Sequence, residues 1–122
     1  MIDCGVTGAI TVTYTITDEC ENAITKDATY TIEDTTDPTA SCDPITETYE
    51  CDGATGNLTA ANAWNENNLT LLRNCSQDVC GDVTVTSDYD FANLSDDCAL
   101  TGSITVTYTI TDPCDNFTTK TA

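Results

Sequence analysis

Carboxylates gather at the turns of this chain. "TDECEN" (17–22) carries Asp18, Glu19, Glu21 and Asn22, and "TDPCDN" (111–116) carries Asp112, Asp115 and Asn116. A third acidic stretch, "IEDTTDP" (32–38), carries Glu33, Asp34 and Asp37. Calcium takes about six to eight oxygen ligands from carboxylates, amides and carbonyls, so turns rich in Asp and Asn are the residue types it needs. No stretch has the spacing of an EF-hand loop, so a site must be assembled from several turns. Oxygen donors without histidine favour calcium over zinc or copper. The plain alternative is a solvated acidic surface whose Asp and Asn residues serve turn geometry.

Cysteine is the second chemistry. There are eight cysteines and no histidine, and no C-x-x-C pair. Zinc sites usually combine Cys and His at short spacing, so a zinc reading has little to stand on. A disulfide framework in an oxidising compartment explains the count better. The opening "MIDCGVTG" has neither a basic stretch nor an apolar run, so no signal peptide is visible, and we read the chain as a fragment of a secreted protein. No apolar run reaches the length of a membrane span.

Charge excludes further classes. Asp and Glu number 21 against three Lys and Arg, for a net −18, and nothing here could neutralise phosphates. Nucleic acid and anionic lipid are therefore poor partners. Catalysis lacks support too: no His is available for a triad, and close carboxylate pairs arise from composition alone. The regular Thr arrays of "TVTYT" and "TTKT" suit exposed strands, and too few strands carry them to build an ice- or glycan-binding face. The chain reads as a non-enzyme.

The elements that must position these residues are repeated. "ITVTYTITD" occurs at 10–18 and again at 104–112, and residues 3–28 lie over 97–122 at an offset of 94 with 18 of 26 identities. Cys4 falls on Cys98, Cys20 on Cys114, Asn22 on Asn116 and Lys26 on Lys120. Cysteines that keep register argue for duplication of a whole small β-unit. Residues 1–38 then read as the C-terminal strands and linker of one repeat, and 39–122 as the following repeat lacking its last strand. Ile10, Val12, Tyr14 and Ile16 alternate with threonines, as in a half-buried strand. "ITETYEC" (45–51), "DVTVTSDYDF" (82–91) and "ATYTIED" (28–34) read as strands, the last as an edge strand. "LTAANAWNENNLTLL" (58–72) reads as a short helix with Asn57 as its N-cap. The fold class expected is all-β: an Ig-like antiparallel β-sandwich with a short helical insertion, built as a tandem-repeat unit.

"DCALTGSITVTYTITDPCDN", "QDVCGDVTV" and "IEDTTDP" resemble the hyalin-repeat-like, Ig-like tandem modules of giant Bacteroidota surface adhesins, including filamentous adhesins of gliding motility. The resemblance covers nearly the whole chain and implies an extracellular structural repeat at the cell surface. It also implies that Asp-Thr-Thr at 34–36 is an O-glycosylation motif with Thr35 as acceptor.

Geometry constrains the cysteines. A nine-residue strand spans about 30 Å and a disulfide needs Cα atoms within about 7 Å, so Cys98 and Cys114, which flank one strand, cannot pair. An up-and-down path through the sandwich places Cys51 with Cys98 at one end, and Cys80 with Cys114 and Cys42 with Cys75 at the other. The same path brings the 32–38 junction, the 75–82 loop and the 112–116 turn together. Asp34, Asp37, Asp43, Asp78, Asp82, Asp112 and Asp115 then become the expected calcium ligands, because close like charges repel by roughly 1 kcal/mol per pair even in water. The function expected is a structural repeat of an extracellular filament or adhesin, stiffened by disulfides and calcium. Its partners would be copies of itself, joined head-to-tail or by strand addition through residues 28–34. A carbohydrate-binding module contacting surface glycans is the alternative.

Overall fold

The computed structural model describes residues 3–53, 57–99 and 101–122. Threonine alternating with Ile, Val and Tyr produces the strands, because branched and aromatic side chains fit a pleated surface. β1 (Gly8–Thr17) and β2 (Ala23–Ile32) form a long antiparallel hairpin, with Gly8 opposite Ile32 and Tyr14 opposite Lys26. β3 (Thr39–Ala40) pairs with β4 (Ser76–Gln77). β5 (Thr84–Ser87), β6 (Thr107–Thr111) and β7 (Phe117–Thr121) make a three-stranded antiparallel sheet in that order. The single α-helix among the described residues is α1 (Leu58–Cys75), and a 3-10 turn spans Phe91–Asn93. The chain is thus mostly β, with antiparallel sheets that are small and separate, and one helix.

The core lies between α1 and the three-stranded sheet. Trp64, Leu69 and Leu72, spaced for one helix face, meet Val85, Val106, Tyr108 and Ile110. A helix, rather than a second sheet, covers this face. α1 runs three residues past the expected helix to Cys75. Asn57 occupies the N-cap position without capping: it lies in the left-handed region (φ 64°) and makes no side-chain cap bond. Its side chain instead accepts from the Asp52 N–H (2.8 Å) and donates to the Glu50 carbonyl (2.7 Å), fastening the preceding loop.

Three expected strands differ. Residues 45–51 are not a strand. The Ile45 N–H donates to Asn68 Oδ1 at 2.8 Å, and its carbonyl accepts from Trp64 Nε1 (2.6 Å) and Asn68 Nδ2 (3.0 Å), so helix side chains satisfy this backbone. Only Thr84–Ser87 of the 82–91 segment is extended. Residues 28–34 form no separate edge strand either: Ala28 to Ile32 complete β2 opposite Gly8 to Val12, so the expected donor segment is already paired within its own hairpin.

The duplicated strands have opposite surroundings. Tyr108 is fully buried beneath α1, whereas its counterpart Tyr14 is 57% exposed, and Ile10, Val12, Ile16, Ile24 and Tyr30 are exposed with it. Identical residues are core in one hairpin and surface in the other, because among the described residues only β6–β7 has a helix over it.

Candidate functional site

The site is the junction between the two copies, and its parts are local motifs that the duplication repeats. In the 18–22 turn, Asp18 Oδ1 accepts from the N–H groups of Cys20 (2.8 Å) and Asn22 (2.9 Å), and Asn22 Nδ2 donates to Asp18 Oδ2 (2.9 Å). The 112–116 turn repeats this: Asp112 Oδ1 accepts from Cys114 (2.8 Å) and Asn116 (2.9 Å), and Asn116 Nδ2 donates to Oδ2 (2.8 Å). Glu21 and Asp115 both sit at φ 66°. In the 3–7 loop, Thr7 Oγ1 accepts from the Cys4 N–H (3.1 Å) and donates to the Cys4 carbonyl (2.6 Å). Thr101 does the same for Cys98, at 3.2 and 2.6 Å.

At the junction the first loop meets the second turn. Cys4 is bonded to Cys114, a bond that spans 110 residues of sequence. Asn116 Nδ2 also donates to the Asp34 carbonyl (3.0 Å) and Thr118 Oγ1 to the Pro38 carbonyl (2.7 Å), so the 32–38 linker is pinned along β7. Gly5, at φ 55°, permits the approach: a Cβ there would lie 2.3 Å from the Cys80 carbonyl oxygen. Cys42 is bonded to Cys75, tying the end of α1 to the segment after β3. The expected Cys80–Cys114 bond is replaced by Cys4–Cys114. The expected Cys51–Cys98 bond is absent, and Cys20, Cys51, Cys80 and Cys98 are free thiols. The pairing differs because the first copy supplies the partner, a route that a path drawn within one unit omits.

Of the expected calcium ligands, Asp34, Asp78 and Asp112 converge. Ligand atoms of Asp34, Asp78 and Cys80 lie within 4.8 Å of one another. Burial, with the Asp78 and Asp112 charges added to it, pushes the Asp34 carboxyl above its ordinary range. Burial acts upward on Asp112 as well, but hydrogen bonds from Asn116 and Cys114 outweigh it and hold that carboxyl low. The Cys80 thiol is pushed up by burial and then by the three carboxylates. Asp34 Oδ2 is a buried oxygen with no hydrogen-bond donor among the described residues. Asp43 stands apart in an ion pair with Lys120 (2.6 Å). Asp37, Asp82 and Asp115 are exposed and lie outside the converging group. Thr35 is exposed within the linker. Sequence reasoning left Cys4 without a partner, assigned Cys80 to Cys114 rather than to the side of Asp34 and Asp78, and missed Gly5; the signal for Gly5 was that its counterpart, residue 99, is alanine.

A second feature is a cleft of about 600 Å³ lined by Tyr49, Trp64, Phe91, Leu94, Ile104 and Ala122, among others. It follows the stretch 102–105, whose counterpart in the first copy, 8–11, is paired with 29–32. No helix among the described residues is long and apolar enough to cross a membrane. The two disulfides favour an oxidising, secreted setting. No family model, curated protein or solved structure matches the chain.

Proposed function

We propose that the chain is a structural repeat unit of an extracellular filament or surface adhesin, growing head-to-tail through junctions stapled by disulfide bonds. The observation that carries this reading is the Cys4–Cys114 bond, which fastens a loop of one copy to a turn of the next. A duplicated unit whose copies are covalently clamped suits a polymer better than a catalyst. The uncovered face of β1–β2 supports it too, since a two-stranded hairpin alone is marginal in water and gains from a second layer. That layer, and with it an Ig-like sandwich, would form on assembly.

Calcium is part of the proposal. Asp34, Asp78 and Asp112 offer hard oxygen donors from the linker, the loop before β5 and the β6–β7 turn, so an ion held by them would lock the linker's angle. The Cys80 thiol is too soft to join that shell. The alternative reading, a carbohydrate-binding module, rests on the aromatic cleft; against it, Trp64 is 9% exposed and its Nε1 is committed to Ile45. The test is light scattering and electron microscopy of the full chain at rising concentration, with thermal unfolding in calcium and in chelator. Filaments are expected, with stabilisation of about 2.7 kcal/mol once calcium reaches 100 times its Kd. A chain that stays monomeric throughout refutes the repeat. Identical melting in calcium and chelator refutes the metal.

A further inference from the structure

Cys20 and Cys98 are the two halves of a joint that the molecule has already made once. Cys98 heads a loop that reproduces the Cys4 loop bond for bond, and Cys20 sits in a turn that reproduces the Cys114 turn. Where loop and turn are joined, their framework is buried: Thr7 and Asp112 are each 4% exposed. Where they are unjoined, Thr101 and Asp18 are exposed, as are both free thiols. The same residues are covered or bare according to whether the partner motif is present.

We infer that Cys98 of one copy bonds to Cys20 of a second copy of this chain, repeating the Cys4–Cys114 geometry between molecules. β1 and β2 are exposed along nearly their whole length, so the hairpin projects from the junction and carries Cys20 about 30 Å from Cys4. The residue that differs between the loops identifies the occupant. Ala99 replaces Gly5 at nearly the same dihedral, φ 51°. A methyl at the Gly5 position would strike the Cys80 carbonyl. Among the described residues none covers the exposed β1–β2 hairpin, so its turn can accept a loop bearing alanine. Loop and turn are different patches, so the contact is heterologous and grows without closing.

The chemistry is a two-electron oxidation by a low-molecular-weight disulfide. One thiolate displaces a small thiolate from it, and the second protein thiolate attacks the mixed disulfide. The protein–protein S–S bond forms as two small thiols leave.

This inference rests on the head-to-tail reading, and its test separates the two. The full chain, purified under mild reductant and then treated with oxidised glutathione, is run on non-reducing gels and mapped by mass spectrometry. A ladder at multiples of the chain mass is expected, with a Cys20–Cys98 peptide. Cys20→Ala and Cys98→Ala should each lose the ladder while keeping the α1 circular-dichroism signal. Mixing the two variants should give one cross-linked dimer and nothing longer, because each supplies the half the other lacks. A ladder that survives in either variant, or a peptide joining Cys98 to Cys51, overturns the bond. Filaments that grow without the Cys20–Cys98 peptide overturn the bond alone; a chain monomeric in both redox states overturns the assembly reading with it.

Discussion

The duplicated tyrosines offer a controlled experiment inside one molecule. Tyr108 is fully buried between α1 and the sheet, and its hydroxyl accepts from Asn68 Nδ2 at 3.3 Å. Truncating a buried aromatic to alanine costs about 3–5 kcal/mol. The lost hydrogen bond adds little, since Asn68 Nδ2 keeps the Ile45 carbonyl as a partner. For a chain of 122 residues, between the small and large domain classes, each kcal/mol moves the midpoint by about 4 °C, so Tyr108→Ala should lower Tm by about 12–20 °C. Tyr14→Ala removes the same group from an exposed strand, where only cross-strand contact with Lys26 is lost, worth below about 1 kcal/mol. The assay is far-UV circular dichroism at low protein concentration, because the helical signal comes from α1 and reports the core. Equal losses for the two variants would refute the reasoning, since they would mean that the β1–β2 face is covered in the single chain.

Cys42→Ser opens a loop closed over 33 residues, and chain entropy puts the loss at about 3–4 kcal/mol; an unchanged urea midpoint would show that the bond does not hold α1 in place. Asp34 and Asp112 respond to pH in opposite senses. The raised Asp34 carboxyl contributes stability below its ordinary range that is lost as pH rises through its folded pKa, and the lowered Asp112 carboxyl contributes stability at higher pH that is lost in acid. Asp34→Asn should therefore raise the Tm in chelator at neutral pH and abolish any gain from calcium. A lower Tm in chelator would refute the crowding of carboxylates at this junction.

The sequence made local motifs legible because their causes are local. Asp, Cys and Asn at fixed spacing dictate the 18–22 and 112–116 turns, and identical residues give identical hydrogen bonds. The strands bearing the repeat and the presence of a helix near 58–72 followed from alternation and length. What stayed hidden depends on distant partners. "ITETYEC" alternates like a strand, yet Trp64 and Asn68 take over the bonding of Ile45, and nothing in the segment itself announces them. The meeting of Asp34, Asp78 and Asp112 was legible from the path of the chain. The separate fates of Asp37, Asp43, Asp82 and Asp115 were not, because each is decided by a side chain's final neighbours.

The Cys4–Cys114 bond also decides where tension would run. In a chain of copies pulled at Cys20 and Cys98, force passes down β1 to Cys4, across the sulfurs to Cys114 and back along β6 to Cys98. β1 supplies ten residues of the first leg, about 30 Å at ~3.3 Å per residue, and β6 five of the second, and neither strand has slack to surrender. Helix α1, both small loops around it and the whole segment from 39 to 87 hang beside this line rather than on it. Those parts can unfold, exchange or change sequence without lengthening the fibre, whereas a reductant that opens the Cys4–Cys114 bridge would shift the load onto the segment from Cys20 to Cys98 and let it extend.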